Sequence, residues 1–164
     1  MALDIPPIVA LDSMTLVWGI RGQGTEDQRT RAIWLLDQFT ARRTQVIISA
    51  VVLAEYLSVV DTSDHAAVIE ALGKGYLLRP LTSDCSSPAA SLFQLGSQMR
   101  AKNEPGGRAI LRADTFIIAA ARIHGAGRLY SNDSNCRDLA NRLWPDFAHD
   151  LPVPPIGLFG QPLE

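Results

Sequence analysis

The chain is poor in the residues that build disulfide and zinc frameworks. It carries two cysteines, Cys85 and Cys136, and three histidines, His65, His124 and His149. Neither cysteine lies in a Cys-x-x-Cys pair, so no disulfide scaffold is expected. The expectation is two reduced, partly buried thiols. The histidines share no zinc-type spacing with each other or with the cysteines, which argues against a zinc site. No apolar stretch approaches the roughly 20 residues that span a bilayer. The first residues, Met-Ala-Leu-Asp-Ile-Pro-Pro, lack the basic and apolar regions of a signal peptide. A cytoplasmic protein with no membrane partner is therefore expected. Charge of one sign is also scarce. At a formal net charge of -2 the molecule as a whole does not attract nucleic acid, so such a partner would need a local basic patch. There is no internal repeat and no low-complexity linker.

What remains is a globular composition. Hydrophobic residues make up 47% of 164 residues and charged residues 20%, enough for one domain with one sizeable core. Short apolar runs alternate with longer helical patterns. Ile8–Leu11, Val46–Ile48, Tyr76–Leu78 and Arg128–Ser131 read as strands. Helices are expected over Thr25–Arg43 with Thr25 as N-cap, Ala50–Val60, Asp64–Lys74, Pro88–Lys102, Arg112–His124 and Ser134–Leu143. Glu104-Pro105-Gly106-Gly107 reads as a turn. Gly125 and Gly127 close the helix before them. From about residue 145 a Pro-rich tail follows, with Ile156–Phe159 as a candidate edge strand. This alternation predicts a three-layer α/β/α domain around a mostly parallel sheet. Ligand sites in such folds lie at the carboxyl ends of the strands.

Four acidic residues stand in apolar company there. Asp12 follows Ile8–Leu11 directly; a turn or N-cap role explains it equally well. Glu55 has Val51, Val52 and Val59 as helical neighbours, on a helix that is apolar nearly all round and hence expected to be buried. A carboxylate in that setting is costly unless paired, open to water at the sheet edge, or bound to a metal. Asp114 extends the stripe of Ile117, Ile118 and Ala121 towards its helix start, where the helix dipole would favour it. Asp133 ends the fourth strand and can cap the next helix. Ser131, Asn132, Ser134 and Asn135 around it offer further oxygens. Each acid has an ordinary explanation, but all four can converge on one edge of a parallel sheet. Carboxylates sharing a pocket repel each other, a cost that a divalent cation relieves. Oxygen-only donors favour Mg²⁺ or Mn²⁺. Arg100, Lys102, Arg108 and Arg112 bracket the Gly106-Gly107 turn beside Asp114 and are candidate phosphate contacts; a solvated helix end is the plainer reading.

In this order and context the sequence resembles the PIN domains, including the toxin components of VapBC-type modules. The matching elements are Ile-Val-Ala-Leu-Asp12-Ser13, Ser49-Ala-Val-Val-Leu-Ala-Glu55, Arg112-Ala-Asp114-Thr-Phe-Ile-Ile-Ala and Leu129-Tyr-Ser131-Asn-Asp133. They run from about Val9 to Leu139. Asn135 stands where some relatives carry a further Asp, and the segment around Ser83–Gly107 and the tail are longer than in compact toxins. The resemblance implies a ribonuclease that hydrolyses RNA phosphodiesters with Mg²⁺ or Mn²⁺. Asp12, Glu55, Asp114 and Asp133 would form its catalytic, metal-holding set, and Ser13, Ser131 and Asn135 would support them by hydrogen bonds. It also implies a homodimer and a cognate antitoxin, with Trp18, Trp34 and Tyr56 as candidate interface aromatics beside their core-packing use. Two rivals remain: an inert PIN-like partner-binding module, and another Mg²⁺-dependent α/β phosphatase. Against the second, Asp12-Ser13-Met14 lacks the Asp-x-Asp of haloacid-dehalogenase-type phosphatases.

Overall fold

The computed structural model describes residues 4–99 and 107–155. Among these residues one sheet of five parallel strands forms, in the order β3-β2-β1-β4-β5. The strands are β1 Ile8–Leu11, β2 Gln45–Ser49, β3 Leu77–Arg79, β4 Arg128–Tyr130 and β5 Ala148–His149. Val9, Ala10, Leu11, Ile47, Ile48, Leu129 and Tyr130 are almost wholly buried, as expected of central strands covered on both faces. The helices are α1 Ser13–Gly19, α2 Glu26–Arg42, α3 Ala50–Leu57, α4 His65–Gly75, α5 Ser86–Met99, α6 Gly107–Ile123 and α7 Ser134–Leu143. Right-handed crossovers from β1 through β3 put α1 to α4 on one face, and the returning connections put α5 to α7 on the other. α1 packs on α2 and α3, and α5, α6 and α7 pack on one another, while α3 also meets α6 across that division.

Local chemistry fixes several boundaries. Thr25 and Gln28 form a reciprocal capping box at the start of α2. Asp133 caps α7, and Gly125 closes α6 at φ 86°, a left-handed conformation that glycine adopts without strain.

Four expectations are revised. α6 begins at Gly107, the last residue of the expected turn and five before the expected helix start at Arg112; residues 104–106 of that turn lie outside the described residues. Asp114 therefore lies about two turns inside α6, beyond the reach of the dipole argument for a first-turn acid. The Ala-Ile-Leu-Arg-Ala run ahead of it favours helix strongly enough to extend it upstream. Second, α3 ends at Leu57 and is not buried all round: Val52 and Tyr56 are buried, but Ala50 and Ala54 are exposed and Val59 just beyond is 50% exposed. Its neighbours α1, α6, β2 and β3 cover only part of its circumference. Third, β3 is Leu77–Arg79, one residue later than expected. Fourth, β5 pairs with β4 inside the Pro-rich region, where no strand was expected. Asn141 holds it in place: its amide nitrogen donates to the Ala148 carbonyl at 2.8 Å and its carbonyl accepts from the Ala148 N–H at 2.7 Å. The candidate strand Ile156–Phe159 lies outside the described residues.

Candidate active site

The sheet order reverses direction between β1 and β4. The chain leaves β1 towards one face and β4 towards the other, which opens a crevice between their carboxyl ends. Asp12 stands in that crevice. Its backbone N–H donates to Tyr130 O at 3.1 Å, continuing the β1–β4 ladder by one step. Its side chain is buried at 7% exposure and caps α1. Oδ1 accepts the Thr15 N–H at 3.1 Å and the Thr15 hydroxyl at 3.0 Å. Burial pushes the Asp12 carboxyl above its ordinary value, even though hydrogen bonds from Ser131, Thr15 and the Asn132 backbone pull the other way.

Ser131 is wholly buried beside Asp12. Its Oγ also accepts the Asp133 N–H at 3.1 Å, so one hydroxyl joins the ends of both strands. Asp133 is exposed and caps α7. Its Oδ1 accepts the Asn135 N–H at 2.7 Å and the Cys136 N–H at 3.3 Å. Asn135 thus contributes through its backbone, and its own side chain is exposed.

Asp114 is buried at 9% exposure on the inner side of α6. A nearby thiol feels its charge. Cys136, in the first turn of α7, is buried, and its thiol is raised well above the ordinary range, first by burial and then by the negative charges of Asp114, Asp12 and Asp133. Three carboxylates, from β1, α6 and the β4–α7 turn, therefore lie within electrostatic reach of one buried sulfur. Glu55 joins from α3: the Ser13 hydroxyl donates to its Oε2 at 2.7 Å, tying it to the residue after Asp12. Glu55 is half-buried.

Among the described residues, no three His, Cys, Asp or Glu side chains lie close enough together to hold one metal ion. The donor set is nonetheless that of a hard cation. Mg²⁺ keeps several of its waters and commonly takes only one or two carboxylates plus substrate phosphates. A buried, desolvated Asp12 beside two further carboxylates gains from any cation that enters.

Of the four basic candidates only Arg112 can be placed. Arg100, Lys102 and the side chain of Arg108 lie outside the described residues. Arg112 is exposed, with its guanidinium 5.7 Å from the Phe93 ring centroid, on the α5 side of α6 and so turned away from Asp114. Trp18 and Tyr56 are buried in the core, at 4% exposure each, which leaves only the half-buried Trp34 of the three aromatics for an interface. Thr15 and Cys136 were missed by sequence reasoning. Thr15 had a signal, since it lies three residues after an N-cap Asp; Cys136 had none beyond its place in the first turn after Asp133.

The order of elements, the all-parallel sheet and the acidic crevice define a PIN-like three-layer α/β/α fold. Solved structures share it. The chain superposes on VapBC2 from Rickettsia felis, bound to a DNA fragment from its promoter, with TM-score 0.59 and 15% identity, over 87% of this chain and 98% of that one. It matches FitAB bound to an IR36 DNA fragment with TM-score 0.61 and 14% identity, over 87% and 94%. For FitAcB from Neisseria gonorrhoeae the values are 0.53 and 19%, over 81% and 93%. No family model matches the chain. No curated protein sequence matches it either.

Proposed function

We propose that this chain is a divalent-metal-dependent endoribonuclease that hydrolyses RNA phosphodiester bonds, acting in the cytoplasm as the toxin of a toxin–antitoxin module. The observation that carries the reading is that the charges of Asp12, Asp114 and Asp133 all reach the buried Cys136 thiol at the β1–β4 switch point, with Glu55 tied to the residue after Asp12 through Ser13. Asp12 and Asp114, both buried, would hold Mg²⁺ or Mn²⁺ directly; Asp133 and Glu55 would complete the acidic set. When bound, the cation supplies Lewis-acid polarisation of the phosphodiester and offsets the charge that develops on it. The chain's own residues do the rest. Thr15 and Ser131 fix the Asp12 carboxylate. Glu55, steadied by Ser13, orients the attacking water and accepts its proton. The crevice excludes bulk water on the side of Asp12 and Asp114, which strengthens each of these interactions.

The toxin assignment is supported by the fold shared with chains from the VapBC2, FitAB and FitAcB complexes. It implies a cognate antitoxin and a homodimer as partners. Among the described residues no helix is long and apolar enough to cross a membrane.

The test is cleavage of a single-stranded RNA by the purified chain with Mg²⁺ or Mn²⁺, with EDTA, and in Asp12→Asn. The expected result is cleavage in the first case alone. Cleavage that persists in EDTA or in Asp12→Asn would overturn the proposal. Absence of both cleavage and metal binding in the wild type would leave a partner-binding module of the same fold.

A further inference from the structure

The β4–β5 ladder stops because a side chain takes the place of its next bond. The Ser131 N–H donates to the His149 carbonyl at 3.0 Å, so the register assigns the Ser131 carbonyl to the N–H of Leu151. That N–H turns instead to Oδ1 of its neighbour Asp150, at 2.7 Å. The Ser131 carbonyl accepts from Nη1 of Arg137 at 2.8 Å. Arg137 lies one turn into α7, four residues after the cap Asp133. Its side chain is only 21% exposed, and Oδ1 of Asp150 lies 3.6 Å from its Nη1. The other oxygen of Asp150 is 3.0 Å from Nη2 of Arg31, so the carboxylate stands between two guanidinium groups.

The peptide that Arg137 grips also touches the acidic crevice. In a trans peptide the C=O and the following N–H point in opposite directions, and no described peptide bond is cis. The Ser131 carbonyl faces β5, so the Asn132 N–H faces β1, where it donates to Asp12. The Ser131 hydroxyl reaches Asp12 from the same residue and accepts the Asp133 N–H. One bonded guanidinium thus stands behind both donors that Asp12 receives from the end of β4. A charge-assisted hydrogen bond is about twice as strong as a neutral one, and hydrogen bonds in a chain polarise one another.

We propose that Arg137 is a positioning residue of the acidic site. By holding the Ser131–Asn132 peptide it directs the Asn132 N–H and the Ser131 hydroxyl at Asp12, and so sets how well that carboxylate receives a divalent cation. The proposal deepens the ribonuclease reading above and rests on it for the cation alone. Ending the ladder is a second use of the same bond, indifferent to any cation, and the experiment separates the two.

Arg137→Met, Arg137→Lys and Arg31→Met are compared with wild type, with folding checked by circular dichroism. Mn²⁺ affinity is read by electron paramagnetic resonance and exchange of the Asn132 amide by NMR. Arg137→Met keeps the apolar stem and removes the donors. Mn²⁺ affinity should then fall about tenfold, the low end for partners that act behind a metal ligand, and the Asn132 amide should exchange faster. Arg137→Lys, which still carries a donor, should recover most of both. Arg31 is as buried and shares Asp150, but among the described residues it bonds neither Ser131 nor Asn132. Arg31→Met should therefore leave both readouts unchanged, whatever it does to stability. Wild-type Mn²⁺ affinity and Asn132 exchange in folded Arg137→Met would overturn the proposal. So would an Arg31→Met that matches Arg137→Met, which would assign the effect to a general loosening of the sheet end. If Arg137→Met does not fold, the wild-type protein decides: its Arg137 Nη protons should give separate, slowly exchanging NMR signals, and one averaged signal would overturn the proposal. The ribonuclease reading fails separately, if wild-type protein does not cut RNA with metal; Asn132 exchange still tests Arg137 in that case.

Discussion

Replacing Asp12 with Asn should make the metal-free protein slightly more stable while abolishing its activity. Asp12 is buried, and its carboxyl is raised because desolvation outweighs the hydrogen bonds it receives from Ser131, Thr15 and the Asn132 backbone. Asparagine caps a helix as well as aspartate does, so the bonds from Thr15 survive on its carbonyl oxygen. What disappears is the buried charge. What is lost in exchange is one acceptor facing Ser131 and Asn132. With the donors offsetting most of the burial cost, the net gain is about 1 kcal/mol, the low end for an imperfectly compensated buried polar group. For a domain of this size that raises Tm by about 2–4 °C. The sign sets the pH dependence. A raised carboxyl in the fold penalises stability above its folded value, and the penalty vanishes as pH falls through that value towards 3.8. The advantage of Asp12→Asn should therefore be full at neutral pH and shrink in acid. Metal reverses the ranking. At a hundredfold excess over Kd a bound cation stabilises the wild type by about 2.7 kcal/mol and the variant hardly at all. Thermal and urea melts in EDTA and in MnCl₂ would show the two stabilities crossing. A metal-free variant more than about 1 kcal/mol less stable than wild type would mean that the buried Asp12 charge is itself stabilising and refute the desolvation argument, and equal Mn²⁺ stabilisation of both would place the cation elsewhere.

Ser131→Ala removes the hydroxyl that reaches Asp12 and accepts the Asp133 N–H; Mn²⁺ affinity by calorimetry should fall about 10–100-fold with the fold retained. Asp133→Asn keeps the α7 cap and should leave stability within about 0.5 kcal/mol while reducing cleavage, whereas Asp133→Ala should also cost about 1 kcal/mol in urea unfolding. Equal stability losses in both Asp133 variants would show that the cap does not depend on the acceptor oxygen they differ in. Asn141→Ala leaves the Ala148 N–H and C=O without their partner and should cost about 2–3 kcal/mol, seen as a lower urea midpoint and as faster hydrogen exchange at Ala148.

Where an element's cause is local, the sequence shows it. Ile8–Leu11 is a buried run ended by a polar residue, and both the strand and the place of Asp12 follow. Ser134–Leu143 lies between an Asp cap and the Trp144-Pro145 stop, and its bounds are those the sequence predicts. Where the cause is a partner elsewhere in the chain, local patterns fail. β5 is two residues long and exists because Asn141, seven positions earlier, brackets Ala148. The exposure of Val59 depends on which helices stand around α3, and periodicity carries no such information. At the site, the order of the four acids is readable, but their meeting depends on the strand order β3-β2-β1-β4-β5, which no spacing encodes.

The ordinary and the functional explanations of the acids also prove compatible. Asp12 and Asp133 are both N-caps, a role that taken alone leaves nothing over for chemistry. Yet the hydrogen bonds that cap α7 all fall on Oδ1 of Asp133, and the two from Thr15 fall on Oδ1 of Asp12. Capping consumes one oxygen of a carboxylate and fixes the direction of the other. It also places each acid at the positive end of a helix dipole, which lowers the cost of holding two negative charges at adjacent strand ends. A carboxylate left to rotate in the crevice would lose conformational entropy on binding a cation; one already held by a helix end has lost it on folding. The caps are therefore the means by which a small parallel sheet keeps its acidic edge ordered, and the Asn variants at both positions, which keep the cap and remove the charge, separate capping from any role of the charge.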